Sequence, residues 1–279
     1  MPIQFSSVVD AQPRRIPGFT ELRYIDLHAL AVYGSPLTVL DDFRVQELPF
    51  SAHPHAGFAA VTYVFEDSAG SVRSRTSTGA DLVVGAGGIV WTHAGKGIVH
   101  EEVPAKRGVE LHGLQLFVNL TSNNKLSPSR VLYLQGADVP IWERQSNRVR
   151  VVVGAFDGVP SPLVADEAFT MLDVGLTSQI SYAVKKGENT VFYVLDGVLQ
   201  IRTGDQLQEV RKGQALALSG AGEAVSLEAG EVAHLLVLSG AAINEPVVEE
   251  GPFIMNNRAQ IESAIARYRS GGMGGLSPI

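Results

Sequence analysis

Short runs of β-branched and aromatic residues, separated by glycine-bearing turns, recur along this chain and confine it to an all-β architecture. Ala60-Val61-Thr62-Tyr63-Val64-Phe65 is one such run, and a polar turn around Asp67 to Gly70 leads to a return strand over Val72 to Thr78. Leu82-Val83-Val84 and Ile89-Val90-Trp91 flank Gly85-Ala86-Gly87-Gly88 and read as a hairpin. Leu22 to Leu27, Ala29 to Tyr33, Leu37 to Leu40 and Arg44 to Leu48 read as earlier strands, and Leu114 to Leu120 and Arg148 to Gly154 as later ones. Strands at this spacing predict a sandwich or barrel.

The pattern occurs twice. Phe192-Tyr193-Val194-Leu195-Asp196-Gly197 echoes Thr62-Tyr63-Val64-Phe65-Glu66-Asp67, 192 − 62 = 130 positions later, and Lys212-Gly213-Gln214-Ala215 echoes Gly87-Gly88-Ile89. Such self-similarity predicts a duplicated small barrel. Composition turns polar over 121–150, which places one barrel at 1–135 and the other at 136–279, with a crossing loop at 155–170 around Pro160 and Pro162. The end of the chain is different in kind. Asn257-Arg258-Ala259-Gln260 has the form of a capping box, Ile261, Ala264, Ile265 and Tyr268 share a helical face, and Gly271-Gly272 stops the helix.

Two short segments carry chemistry. His53-Pro54-His55 and His100-Glu101-Glu102 each hold metal-capable side chains at i and i+2. In a strand those positions share a face, roughly 6.5–7 Å apart. Two such pairs on adjacent strands would gather three imidazoles and a carboxylate around one point. Pro54 places its pair on an edge or rim strand. Histidines on a solvated strand face beside an acidic turn would give the same spacing, so both readings stand at this level. An octahedral centre with four such ligands would leave two positions open. His93 and His112 are weaker candidates for the surroundings of that point, and His28 and His234 have no companions.

Other chemistries are excluded. The chain has no cysteine, which removes disulfides, thiolate zinc sites and iron–sulfur clusters. Its net charge of −7, from 22 basic and 29 acidic residues, argues against direct nucleic-acid or anionic-membrane binding. No apolar run approaches the ~20 residues of a membrane span, and Met1 to Ser7 lack the form of a signal peptide, so the cytoplasm is the expected compartment. Gly85 to Gly88 lead into no helix-forming sequence, so they are not a phosphate cradle.

With these strings together, the chain resembles the pirin family of bicupins over nearly its full length. The likeness rests on His53-Pro54-His55-Ala56-Gly57-Phe58, Ala94 to Pro104 around His100-Glu101-Glu102, Leu111-His112-Gly113 to Leu120, and Asn244-Glu245-Pro246-Val247 running into Gly251 to Asn256. It implies an all-β fold of two cupin barrels with a C-terminal helix. It further implies one divalent transition metal on His53, His55, His100 and Glu102, with iron the first choice and nickel, manganese, cobalt, copper or zinc the alternatives. Phe58, His93 and His112 fall near that site in the motif. The implied activity is that of a quercetin 2,3-dioxygenase, which opens a flavonol or similar enolic aromatic with O2 and releases carbon monoxide, with Glu102 as the candidate general base. The alternative is a metal-dependent redox-sensing regulator that binds a transcription-related protein partner. The chain departs from the family pattern at Ala59, at Thr92-His93 and at Thr76.

Overall fold

Strands make up most of the computed structural model, which describes residues 2–278. The chain divides into two compact units, one formed by 13–24, 37–138 and 243–279, the other by 1–12, 25–36 and 139–242. A single cut at 135/136 is therefore not how it packs. The switch at 138/139 lies close to that point, but both ends are exchanged. The reason is strand pairing: Gln4–Phe5 pairs with Leu218–Ser219, and the segment around Phe253 bridges to Ala56. Each terminal segment covers an edge that would otherwise leave backbone groups unpaired.

The unit built mainly from 37–138 contains β1 (Phe19–Tyr24), β2 (Leu37–Val45), β3 (His53–His55), β4 (Phe58–Val64), β5 (Val72–Thr76), β6 (Asp81–Val84), β7 (Ile89–His93), β8 (Ile98–Pro104), β9 (Leu111–Asn119) and β10 (Arg130–Leu134). One sheet runs β10-β7-β4-β9-β2-β1 and a second runs β3-β8-β5-β6. Strand alternation points Phe43, Val45, Val64, Val72, Val90 and Leu111 into one apolar cluster between them. The predicted hairpin across Gly85 to Gly88 does not form, because β6 pairs with β5 while β7 pairs with β4 and β10. That turn carries the chain from one sheet to the other.

The second unit contains β11 (Asn147–Val153), β12 (Phe169–Leu176), β13 (Gln179–Ala183), β14 (Glu188–Thr203), β15 (Gln206–Arg211), β16 (Gln214–Ser219) and β17 (Ala224–Ala241). Its core is almost wholly aliphatic, with Val149, Leu172, Phe192, Leu199, Leu216, Val225 and Leu235 all buried. The long β14 and β17 each do the work of two strands in the first unit, bending through register shifts between Val194 and Leu199. The duplication is visible bond by bond. Tyr63 lies opposite Ile89 and Leu114 as Tyr193 lies opposite Ala215 and Leu236. Gly87 (φ 74°) donates to the Val64 carbonyl at 2.8 Å, and Gly213 (φ 73°) donates to Val194 at 2.8 Å. The predicted strand at Ala29 to Tyr33 is instead a 3-10 helix over Leu27–Gly34, since the Asp26 side chain accepts from the His28 N–H and caps it.

Helix α1 (Arg258–Arg269) begins as the sequence indicates. Asn257 Oδ1 accepts from Gln260 N–H at 3.0 Å, and Gln260 Oε1 accepts from Asn256 N–H at 2.9 Å. Ile261 and Ala264 are buried with Ala56, Val99, Phe253, Met255 and Met273, while Tyr268 faces solvent. Ala56 and Val99 adjoin the predicted ligand positions, so the helix and tail pack behind the strands that carry them. No described helix is long and apolar enough to cross a membrane.

Candidate metal centre

The three histidines meet. β3 pairs antiparallel with β8 so that His53 stands opposite His100 and His55 opposite Ile98. Pro54 costs no ladder bond there because β3 is the edge of its sheet. One ring nitrogen from each of His53, His55 and His100 lies within 4.8 Å of the others. Ring centroids are 4.6–4.8 Å apart, with the planes steeply inclined to one another. His53 Nδ1 donates to the Ser51 carbonyl at 2.8 Å, which fixes its tautomer and leaves Nε2 as the free lone pair. Phe58 and Phe117 wall the other side, at 4.9 and 5.3 Å from the His55 ring.

Electrostatics keep His55 and His100 neutral. Burial, reinforced by His53, pushes His55 down to about 3, and burial with its two neighbours holds His100 well below the ordinary range. Neutral imidazole is the form that binds metal.

Glu102 stands apart from that trio. It shares a face of β8 with His100, but its Oε2 accepts from the Thr62 hydroxyl at 2.5 Å, and its Oε1 is buried with no hydrogen-bond partner. Burial raises its carboxyl to about 6, opposed by the hydroxyls of Thr62 and then Ser74. Glu102 and Thr62 line a cavity of about 100 Å3 with Phe19, Phe43, Phe50 and Leu111, and with Asp41 and Gln115 as further polar groups. Phe50 also touches His53, with centroids 6.2 Å apart, so the cavity and the trio share a wall.

What the donor atoms lack fits a divalent transition metal. Nδ1 of His55, Nδ1 of His100 and Oε1 of Glu102 are all buried without a protein partner. Buried polar atoms are ordinarily satisfied, so two such atoms in the trio and one on the neighbouring Glu102 call for a ligand. Neutral imidazole nitrogen with one carboxylate oxygen suits iron, nickel, manganese, cobalt, copper or zinc.

Two predicted neighbours of the site are not there, and alternation explains both. Gln115 and Thr62 face the cavity from β9 and β4, so His112 on β9 faces the opposite side. There His112 Nδ1 meets Asp67 at 2.5 Å and Nε2 meets Asp42 at 3.3 Å. His93 pairs with Ala59, which has opposite parity to Thr62, and its Nε2 bonds to the Ser127 hydroxyl at 2.7 Å. The departures at Ala59 and His93 are thus cross-strand partners on the face away from the cavity. Thr76 lies opposite His100, and its hydroxyl closes the following turn on Thr78 and Ala80. Phe58 does sit at the site. Sequence reading missed Thr62, Gln115 and Asp41, although each is a polar residue within an apolar strand.

The second barrel shows the same positions without ligands. Tyr182 stands opposite Val225 as His53 stands opposite His100, and Leu227 follows Val225 as Glu102 follows His100. The ligand positions are therefore Tyr182, Val184, Val225 and Leu227, all buried in the core. A fixed offset of 130 points one residue further, to Ala183 and Lys185, because this strand is displaced by one residue relative to Tyr63 and Tyr193.

Residues 12–118 match the Pirin family model and residues 171–274 match the Pirin C-terminal cupin domain. The chain belongs to the pirin family. The pirin relatives include a Pseudomonas aeruginosa protein provisionally named quercetin 2,3-dioxygenase, 34% identical over 85% of this chain and 86% of its own. Human pirin is 30% identical over 95% and 89%. Among solved structures, a quercetin 2,3-dioxygenase from Acinetobacter baumannii superposes with a TM-score of 0.87 at 25% identity, covering 99% of this chain and all of that one. The fold of an Escherichia coli bacterial pirin, solved with nickel(II), matches at a TM-score of 0.66 and 18% identity, covering 85% of this chain and 99% of that one. Both units are cupin-type barrels, as the resemblance implied.

One prediction arises from the cavity wall. Burial pushes Asp41 up to about 6 from 3.8, opposed by Arg14. The fold therefore favours the protonated carboxyl. That contribution is present below pH ~4, is lost as pH rises through about 6, and reaches a cost of at most about 3 kcal/mol above it. Asp41→Asn is expected to stabilise the protein by about 1–3 kcal/mol at pH 8 and by almost nothing at pH 4. Denaturant unfolding at the two pH values checks this, and an equal change at both would contradict it.

Proposed function

We propose that the protein is a metal-dependent dioxygenase of the quercetin 2,3-dioxygenase type, acting with O2 on a flavonol or a smaller enolic aromatic. The observation that carries the reading is the trio of closely spaced imidazoles beside a largely apolar cavity into which the buried Glu102 projects. The names of the Pseudomonas and Acinetobacter relatives support it.

In this reading His53, His55, His100 and Glu102 hold one divalent transition metal. Iron is the first choice, and nickel has the precedent of the E. coli pirin. Such an ion supplies Lewis acidity, which lowers the pKa of an enolic hydroxyl that reaches it. The chain's own residues do the rest. Phe19, Phe43 and Phe50 take the aromatic ring and exclude water from it. The Glu102 carboxylate is the group placed to receive the hydroxyl proton.

The test is aerobic turnover of quercetin by metal-reconstituted protein. Wild-type turnover at least about 100-fold above that of a His53→Ala/His55→Ala variant is expected, since losing a metal's Lewis acidity costs several kcal/mol. Equal rates would overturn the reading. Metal-dependent capture of a protein partner without flavonol turnover would move it to the regulatory alternative.

A further inference from the structure

The Thr62 hydroxyl sits between two acceptors with one hydrogen to give. Glu102 Oε2 is 2.5 Å away and Gln115 Oε1 is 3.3 Å away. The Gln115 amide cannot turn its NH2 toward Thr62 without loss, because Nε2 donates to the Val61 carbonyl at 2.9 Å. Gln115 thus presents an oxygen to Thr62, and the nearer carboxylate takes the hydrogen. Thr62 is 1% exposed, so water does not compete. The two residues are direct cross-strand neighbours, Thr62 on β4 and Gln115 on β9, which makes the arrangement a property of sheet register rather than of a mobile loop.

The consequence falls on Glu102. One of its oxygens is committed, and the other, Oε1, is buried without a partner. The Ser74 hydroxyl stands opposite Glu102 on β5, and Phe43, Val72 and Leu111 line the cavity beside it, so Thr62 is the hydroxyl that holds one defined oxygen of Glu102 at short range.

We propose that Thr62 is a positioning residue that makes Glu102 a one-oxygen ligand, with Oε2 held by Thr62 and Oε1 alone offered to the ion on the histidine trio. This rests on the reading of Glu102 as a metal ligand, but not on quercetin as substrate. Groups that orient a metal's own ligands characteristically contribute 10–100-fold to affinity.

The experiment uses the full chain, stripped of metal and titrated with Ni2+ by calorimetry, and with Co2+ followed by its visible absorption. Thr62→Val keeps the shape and removes the hydroxyl. It is expected to weaken Ni2+ binding by about 10-fold or more and to change the Co2+ spectrum, while Thr62→Ser restores both. A valine that merely loosened the fold would lower the unfolding temperature of the metal-free protein without giving this serine rescue. Should Thr62→Val fail to fold, Thr62→Ala removes the same hydroxyl. Affinity and spectrum both unchanged in the hydroxyl-free variant, with Glu102→Gln strongly weakened, would overturn the proposal and leave the ligand reading standing. If Glu102→Gln also binds Ni2+ like wild type, the ligand reading fails with it.

Discussion

His100→Ala is expected to abolish metal retention while leaving the metal-free fold intact. His100 is buried between His53 and His55, and its Nδ1 has no protein partner. Its removal therefore breaks no protein hydrogen bond at that atom and relieves a buried polar group. Against the metal the loss is large. Zinc sites of four ligands bind with about 10–16 kcal/mol, so one ligand is worth about 3 kcal/mol, or roughly 100–1,000-fold in Kd. Calorimetric titration with Ni2+ measures that loss, and thermal unfolding with and without metal reports the fold. A variant that still gains thermal stability from metal as wild type does would contradict the role given to His100. Ile98 and Val99, just before it on β8, are fully packed, so the strand itself has independent reason to form.

Lys125→Met is expected to lower the unfolding midpoint by about 6–12 °C. Lys125 is fully buried, and its ammonium donates to the carbonyls of Gly57 at 2.8 Å and Ile254 at 2.9 Å and to the Asn119 side chain. Methionine matches the length of the stem but leaves these acceptors without that donor. At roughly 1–3 kcal/mol for each unsatisfied group, a net loss of about 3 kcal/mol is reasonable for a chain of this size. The site is affected as well. Gly57 lies two residues after His55 with φ +87°, and an added Cβ would come within 1.9 Å of the Ile254 carbonyl. Lys125 thus ties the entry of β4 and the C-terminal segment to one point just behind a ligand. Differential scanning calorimetry checks the shift. An unchanged midpoint would mean that the cost of burying the ammonium cancels its bonds.

The meeting of His53, His55 and His100 was legible in the sequence because alternation is a local rule: residues at i and i+2 of a strand share a face whatever the strand pairs with. The capping box at Asn257 was legible for the same reason. What local pattern does not specify is partnership. Gly85 to Gly88 have turn chemistry, but nothing nearby shows that β6 will pair backward with β5 and β7 with β4. The exchange of the chain ends is likewise a matter of which distant edge each segment covers. His93 and His112 went astray through parity, since closeness in sequence to a ligand motif says nothing about which side of a sheet a residue faces. Thr62 and Gln115 did leave a signal, as polar side chains within buried apolar strands. Only the register shows that they face each other and that Thr62 reaches Glu102.

The second barrel adds a control already present in the chain. It has the same strand order and turn geometry, with Tyr182, Val184, Val225 and Leu227 where the ligands would be. Apolar residues fill that interior and stabilise the barrel. The first barrel keeps three imidazoles and a carboxylate there, a costly choice unless something binds them.

The most direct measurement is the metal content of protein purified without added metal, set against the His53→Ala/His55→Ala variant. About one divalent transition-metal ion per wild-type chain is predicted, with the variant holding less than about a tenth of that. Equal content in the two proteins, or none in either after growth with ample metal, would contradict the assignment of His53, His55 and His100 as the centre.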